Sequence, residues 1–134
     1  GRGKGMKPTE IYSLHSGKLK DTAGKEDPNA IPGFGRWEKR WNTPTPFAGH
    51  AVAASANTVL VAGVPMLPGY TIADTNASYA GKKGGIAWLL DTNDGHQLQE
   101  IRFDAAPVWD GIAIAHQSYF ICLNDGSVVC LAGK

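Results

Sequence analysis

The stretch AVAASANTVLVA at residues 51–62 aligns without a gap onto GIAIAHQSYFIC at residues 111–122. After a gap, IAWL at residues 86–89 matches VVCL at residues 128–131. The offset is 60 residues in the first part and 42 in the second. We infer two copies of one structural unit, with an insertion at residues 64–84 of the first copy.

The composition around this repeat indicates strands and turns. The chain has 134 residues, 43% of them hydrophobic, with 17 Gly and 8 Pro. Short β-rich runs alternate with Asn, Asp, Gly and Pro, which is the strand-and-turn signature. The runs predict four strands in the first copy and three in the second, at about 50–54, 58–63, 85–91, 97–103, 111–115, 118–123 and 127–132.

The repeat and its strand chemistry predict an all-β fold. Without the insertion, the unit is close to the 40–50 residues of a β-propeller blade. Each copy opens with a strand of small residues, as expected for an innermost strand beside a central channel. We therefore predict two consecutive antiparallel blades at residues 49–134, the last blade lacking its outer strand. That strand would come from outside residues 49–134, with residues 11–14 as a less favoured donor.

Residues 1–48 have no sustained periodicity and predict an irregular, basic N-terminal segment. Residues 1–50 hold nine Lys and Arg against five Asp and Glu, whereas the rest holds four against seven. Trp37 and Trp41, with Lys and Arg between them, suit either a base-stacking patch or loop anchors on a core. The overall charge of +1 favours the anchors, and we predict no nucleic-acid partner.

Three stretches resemble the PQQ-like (quinoprotein-type) β-propeller repeat of large bacterial proteins. The hairpin YFICLNDGSVVCL at residues 119–131 resembles the family's repeat hairpin, and LDTNDGHQL at residues 90–98 resembles its "LDaxdGkxL" turn. The order of residues 58–63, 81–85 and 107–111 resembles that of the family's final blades. The resemblance covers about 86 residues, 49–134, and implies a fold more than an activity.

Two departures from the family bear on activity. A Trp that normally follows the Leu of the turn is replaced here by Gln99. The family's dehydrogenases hold PQQ with a disulfide of two adjacent cysteines, and this chain has no adjacent cysteine pair. We therefore expect no cofactor here, and any catalytic activity of the parent protein would reside outside these residues.

Cys122 and Cys130 lie on the two arms of one predicted hairpin. A two-residue turn would place them on opposite faces of the sheet, which excludes a disulfide. A three-residue turn would make them diagonal neighbours on one face, about 7–8 Å apart and still poorly placed for a disulfide. We predict free thiols buried in the core, and no disulfide.

The candidate metal ligands form no tight cluster in the sequence. The four histidines have no short ligand spacing, so we interpret them as surface residues and predict no metal site. Asp91 and Asp94 read as turn residues, and only weakly as a Ca²⁺ loop, since no bidentate Glu follows at the right distance. The histidines are His15, His50, His96 and His116.

The loops indicate one candidate binding site. In a propeller, the insertion 64–84 and the connector 104–110 emerge on the same face, so both should meet at one mouth of the central channel. Function concentrates in loops held by a rigid scaffold. The ligand-binding candidates at this mouth are Tyr70, Tyr79, Trp109 and Asp110.

Three interpretations of function follow. We favour a non-catalytic scaffold or binding segment of a larger periplasmic, cell-envelope or extracellular bacterial protein, partnered by the remaining blades or a companion chain. The second is part of a quinoprotein-like oxidoreductase whose cofactor site lies outside this chain. The third is a structural surface-assembly subunit completed by a strand from another chain. No apolar run reaches the roughly 18–20 residues of a membrane span.

Overall fold

A computed structural model of the chain describes residues 13–20 and 36–132. These residues form nine strands and one short helix. The elements are β1 (Ser13–Lys20), β2 (Arg36–Pro44), β3 (Phe47–Ala54), β4 (Thr58–Pro65), α1 (Ile72–Tyr79), β5 (Gly85–Asp91), β6 (Gln97–Phe103), β7 (Pro107–Ala115), β8 (Ser118–Leu123) and β9 (Val128–Ala132). The prediction of an all-β fold is confirmed.

The strands form three separate antiparallel groups. We call β1–β2 the N-terminal hairpin, β3–β4–β5–β6 the middle sheet and β7–β8–β9 the last sheet. Within each group the order in space follows the order in sequence, so every connection joins neighbours. The four-strand and three-strand counts of the two sheets agree with the predicted copies.

The internal repeat is confirmed at the level of strand register. In the middle sheet, Ala53 pairs with Leu60, and in the last sheet Ala113 pairs with Phe120. The neighbouring pairs follow the same 60-residue offset, so the two segments are equivalent hairpins. The side chains of equivalent residues therefore point to equivalent faces of the two sheets.

The third strand of each copy needs a correction of one residue. Leu60 pairs with Leu89, whereas its equivalent Phe120 pairs with Cys130. The offset between β5 and β9 is therefore 41 residues rather than the 42 inferred by matching residue types. Because a shift of one residue exchanges the two faces of a strand, the corrected register decides which residues of β9 face the middle sheet.

Apolar side chains fill the spaces on both sides of the middle sheet. Leu60, Ala62 and Ala87 pack against Tyr119 and Ile121 of the last sheet. On the opposite face, residues of β4 and β5 pack with Phe47 and with Trp41 of the N-terminal hairpin. Burial on both faces explains why β4 is apolar at nearly every position, without polar alternation.

The prediction of little regular structure over residues 1–48 is wrong for its described parts. Residues 13–20 and 36–44 form β1 and β2, which pair antiparallel with a bulge near Ser16 and Gly17. Trp41 is the anchor: it is 8% exposed, and its Nε1–H donates to the Thr92 carbonyl oxygen at 2.8 Å. A single buried aromatic residue with a distant partner fixes the hairpin, without a periodic pattern. Residues 1–12 and 21–35 lie outside the described part.

β1 also excludes one predicted strand donor within the described residues. Ser13 and Leu14 pair with Pro44 and Thr43 of β2, not with β9. Ile11 and Tyr12 lie outside the described part of the chain.

The insertion contains an element that the sequence did not predict. Helix α1 (Ile72–Tyr79) begins with a capping box, in which Thr71 Oγ1 accepts from the Asp74 N–H and the Asp74 carboxylate accepts from the Thr71 N–H. Capping of this kind satisfies helix N–H groups that otherwise lack partners. The expectation of strands alone in residues 49–134 is therefore wrong for this segment.

We expect acid to loosen α1. The hydrogen bond from the Thr71 N–H and then that from Lys83 hold the pKa of Asp74 below its ordinary value of 3.8. Because the pKa is depressed in the folded state, the stabilisation is present above the unfolded value and is lost as pH falls through the folded one. Hydrogen exchange of α1 amides between pH 5 and about 2.5 should accelerate beyond the intrinsic rate. D74N should remove this excess, and an unchanged pH profile in D74N would contradict the assignment.

Candidate functional site

The insertion and the connector meet, as the sequence predicted. Val64 and Met66 of the insertion pack with Ala48 and with Ala106 of the connector. The Asn124 N–H donates to the Ala106 carbonyl oxygen at 2.8 Å, which ties the connector to the turn after β8. The insertion and the inner ends of β3 and β7 therefore share one region of the surface.

The four predicted site residues divide into two groups. Trp109 stacks on His50 with ring centroids 3.9 Å apart and planes 24° apart. Asp110 and His50 both line a cavity of about 300 Å³. Tyr70 instead lies beneath Lys83, whose Nζ is 5.2 Å from the ring centroid, and Tyr79 ends α1. Neither tyrosine lines the cavity, so Trp109, Asp110 and His50 define the candidate site.

Two β-bulges build this site. The register of β3 and β4 shifts between Gly49 and Ala51, which leaves His50 as the extra residue. The register of β7 and β8 shifts between Pro107 and Ile112, around Asp110. The 60-residue offset makes His50 and Asp110 equivalent positions of the repeat. Bulges re-aim side chains at the edges of sheets, and here two equivalent bulges bring polar residues to one cavity.

The hydrogen bond of His50 fixes its tautomer. Its Nδ1 lies 3.1 Å from the carbonyl oxygen of Pro107, and because a carbonyl only accepts, Nδ1 carries the proton. Nε2 of the neutral ring is then an acceptor. The residue is 8% exposed, and Nε2 has no hydrogen-bond partner among the described residues. A buried acceptor without a partner costs about 1–3 kcal/mol, so this orientation is retained against a penalty.

Asp110 has an unusual backbone. Its φ of 55° lies in the left-handed region, which non-glycine residues seldom adopt, although Asp and Asn are enriched there. The residue is exposed, whereas the neighbouring walls of the cavity include the apolar side chains of Leu14 and Val61. The site therefore combines one carboxylate, one stacked indole and an apolar wall.

The sequence analysis missed His50. The interpretation of the histidines as surface residues is wrong for it, whereas His96 and His116 are exposed. The side chain of His15 is outside the described part. One signal in the sequence was available: the repeat places His50 opposite Asp110, which was already a candidate.

Asp91, Asp94 and His96 form a second polar cluster in the turn between β5 and β6. One ligand atom of each lies within 4.8 Å of the others. Hydrogen bonds first from the His96 backbone N–H and then from its ring hold the pKa of Asp94 below its ordinary range. Asp91 accepts from the Asn93 N–H. These bonds account for the geometry of the turn, and we assign no metal here.

Both cysteines are free and exposed in this chain, so the prediction of their burial is wrong. The turn is the three-residue kind, with the Leu123 N–H donating to the Ser127 carbonyl oxygen and Gly126 at φ 88°. Cys122 pairs with Val128 and Cys130 with Phe120, so the two thiols are diagonal neighbours on one face. That face of the last sheet carries no packing partner among the described residues, which explains the exposure.

A larger cavity of about 780 Å³ lies between the middle and last sheets. Ser55, Asn57, Gln99 and Gln117 line it together with apolar residues such as Leu131. The Tyr119 hydroxyl bonds Thr58 Oγ1 at 2.7 Å beside it, linking the two sheets. None of the predicted site residues lines this cavity.

Comparisons with protein-family models, with curated proteins and with solved structures find no match. In the described part of the chain, no helix is long and apolar enough to cross a membrane. The function is therefore inferred from the geometry of the chain itself.

Proposed function

We propose that this chain is a non-catalytic scaffold or binding segment of a β-propeller, within a larger cell-envelope, periplasmic or secreted bacterial protein. Two successive sheets with one register, packed face to face and with their first strands side by side, support this proposal. The PQQ-like resemblance of residues 49–134 supports the same architecture.

One observation carries the proposal: a face that is buried in the middle sheet is bare in the last sheet. Leu60, Ala62 and Ala87 are fully buried where they pack on the last sheet. The register makes Phe120, Cys122 and Val128 their equivalents. Val128 is 58% exposed, Cys122 is exposed and Phe120 is half-buried. The equivalence implies that a further sheet covers this face.

The free edge of β9 supports the same conclusion. In the middle sheet, β5 is paired on both sides, by β4 and β6, whereas its equivalent β9 is paired only with β8 in the described residues. Val128, Val129 and Leu131 make β9 apolar, and exposed apolar edges promote unwanted pairing. A strand from elsewhere in the parent would complete the sheet. A strand from another chain would do so equally, which keeps the surface-assembly subunit as a second candidate.

The chain's two cysteines provide a direct test, because both lie on the bare face. We expect Cys122 and Cys130 to react readily with a maleimide in the separated chain after mild denaturation, and to be protected at least tenfold in the natively purified protein. N93C, a cysteine in the exposed turn after β5, is the control and should react in both. Equal labelling of all three positions in the native protein would contradict the proposal.

A further inference from the structure

We propose that the cavity beside His50 and Asp110 binds a small organic ammonium ion with a short apolar stem. In this site the Asp110 carboxylate is the counter-ion, and Trp109 and the apolar wall hold the stem. The proposal rests on the proposed binding function, and it names the class of ligand.

The charge of the site selects a cation. Asp110 lines the cavity, and in the described part of the chain no side chain bonds to its carboxylate. The unpartnered lone pair of His50 Nε2 adds negative potential in the same wall. Two acceptors without donors favour a ligand that brings N–H groups, and hydrogen bonds between ionised partners are about twice as strong as neutral ones.

The indole supports the same class of ligand. One face of Trp109 lies against the imidazole, and the side chain is still 69% exposed, so the opposite face is open. An open indole face attracts ammonium groups through the ring quadrupole. An exposed aromatic residue of this size is held in one orientation only because His50 stacks beneath it and is tied to Pro107. His50 is therefore a positioning residue.

The size of the cavity limits the ligand. About 300 Å³ is at the lower end of small-molecule sites. Leu14, Ala51, Val52 and Val61 form apolar walls that suit a stem of a few methylene groups. A compact alkylammonium ion, or the end of a lysine-like side chain, has this combination of charge and apolar length.

The backbone of Asp110 agrees with a role in binding rather than in folding. A glycine would adopt a φ of 55° without steric cost, yet an aspartate occupies the position. Strained residues are frequent at ligand sites, where the surrounding structure holds them. D110G should therefore keep the fold and its unfolding temperature while removing the carboxylate.

The test uses the natively purified protein and n-butylammonium as the probe, with n-butanol and n-butyrate as matched neutral and anionic ligands. Isothermal titration calorimetry at low salt should show that n-butylammonium binds at least tenfold more tightly than n-butanol, and that n-butyrate does not bind. D110N and D110G should each weaken n-butylammonium at least tenfold. D104N removes one charge from the exposed connector nearby and should leave binding unchanged.

Two results would overturn the proposal: equal binding of n-butylammonium and n-butanol, or equal effects of D110N and D104N. No binding of n-butylammonium by the native protein would also overturn it. These outcomes differ from failure of the scaffold proposal, which the thiol labelling of Cys122 and Cys130 decides without any ligand.

Discussion

G63A should destabilise the protein by about 3 kcal/mol or more and sharply lower the yield of folded material. Gly63 lies in β4, opposite Gly49 of β3. A Cβ atom on Gly63 would lie 1.8 Å from the carbonyl oxygen of Ala48 and 2.6 Å from its carbonyl carbon. Because both atoms belong to the backbone of the paired strand, no change of rotamer can relieve the clash. Urea unfolding of the natively purified variant measures the loss.

G49A is the matched control for G63A, since the two glycines face each other in the same pair of strands. A Cβ atom on Gly49 would meet only Val61 Cγ2, at 3.6 Å, which is an ordinary contact. We expect G49A to change the free energy of unfolding by less than about 1 kcal/mol. Equal losses in the two variants would show that the close approach at Gly63 is not what limits the substitution.

F120A should cost about 3–5 kcal/mol in the native protein, as a buried aromatic residue does. In the separated chain Phe120 is only half-buried, and by itself this exposure predicts a smaller effect. The larger value follows from the equivalence of Phe120 and Leu60, which is fully buried against the last sheet. The free energy of unfolding of the native protein, measured beside that of L60A, tests the equivalence.

L98A provides the control for F120A. Leu98 is 47% exposed on β6, and nothing in the repeat requires a covering sheet there. We expect L98A to cost less than about 1 kcal/mol. If F120A costs as little as L98A while L60A costs several kcal/mol, the face of the last sheet is bare in the native protein.

The internal repeat made most of the fold predictable. An ungapped match of twelve residues fixed the equivalence of two hairpins, because each strand pair depends on contacts only a few residues apart. The third strand lies beyond a long insertion in one copy and a three-residue turn in the other. Residue types alone placed that strand one position too far along, since apolar residues occupy both faces of β5.

The elements that the sequence missed depend on distant contacts or on capping. The N-terminal hairpin is held by Trp41, whose hydrogen-bond partner Thr92 is 51 residues away. Helix α1 follows from the reciprocal bonds of Thr71 and Asp74 in a segment with little hydrophobic periodicity. Neither feature leaves a periodic pattern in the sequence.

The candidate site was predictable in part. Trp109 and Asp110 were identified because they lie in a connector between two repeat units. Tyr70 and Tyr79 belong to the same surface region by sequence, but the helix and Lys83 place them elsewhere. His50 was missed because its burial depends on Pro107 and Trp109, which are 57 and 59 residues further along the chain.

The central claim is that these sheets are consecutive units of a longer stacked array. Its most direct test is sedimentation velocity together with thermal unfolding of residues 1–134 expressed alone. Arrays of repeats generally need about three or more units to bury a continuous core, and here one face of the last sheet and the edge of β9 stay uncovered. The account predicts self-association and a broad, non-cooperative transition. A monomer with one sharp, cooperative transition would contradict it and would show that the three sheets close a core of their own.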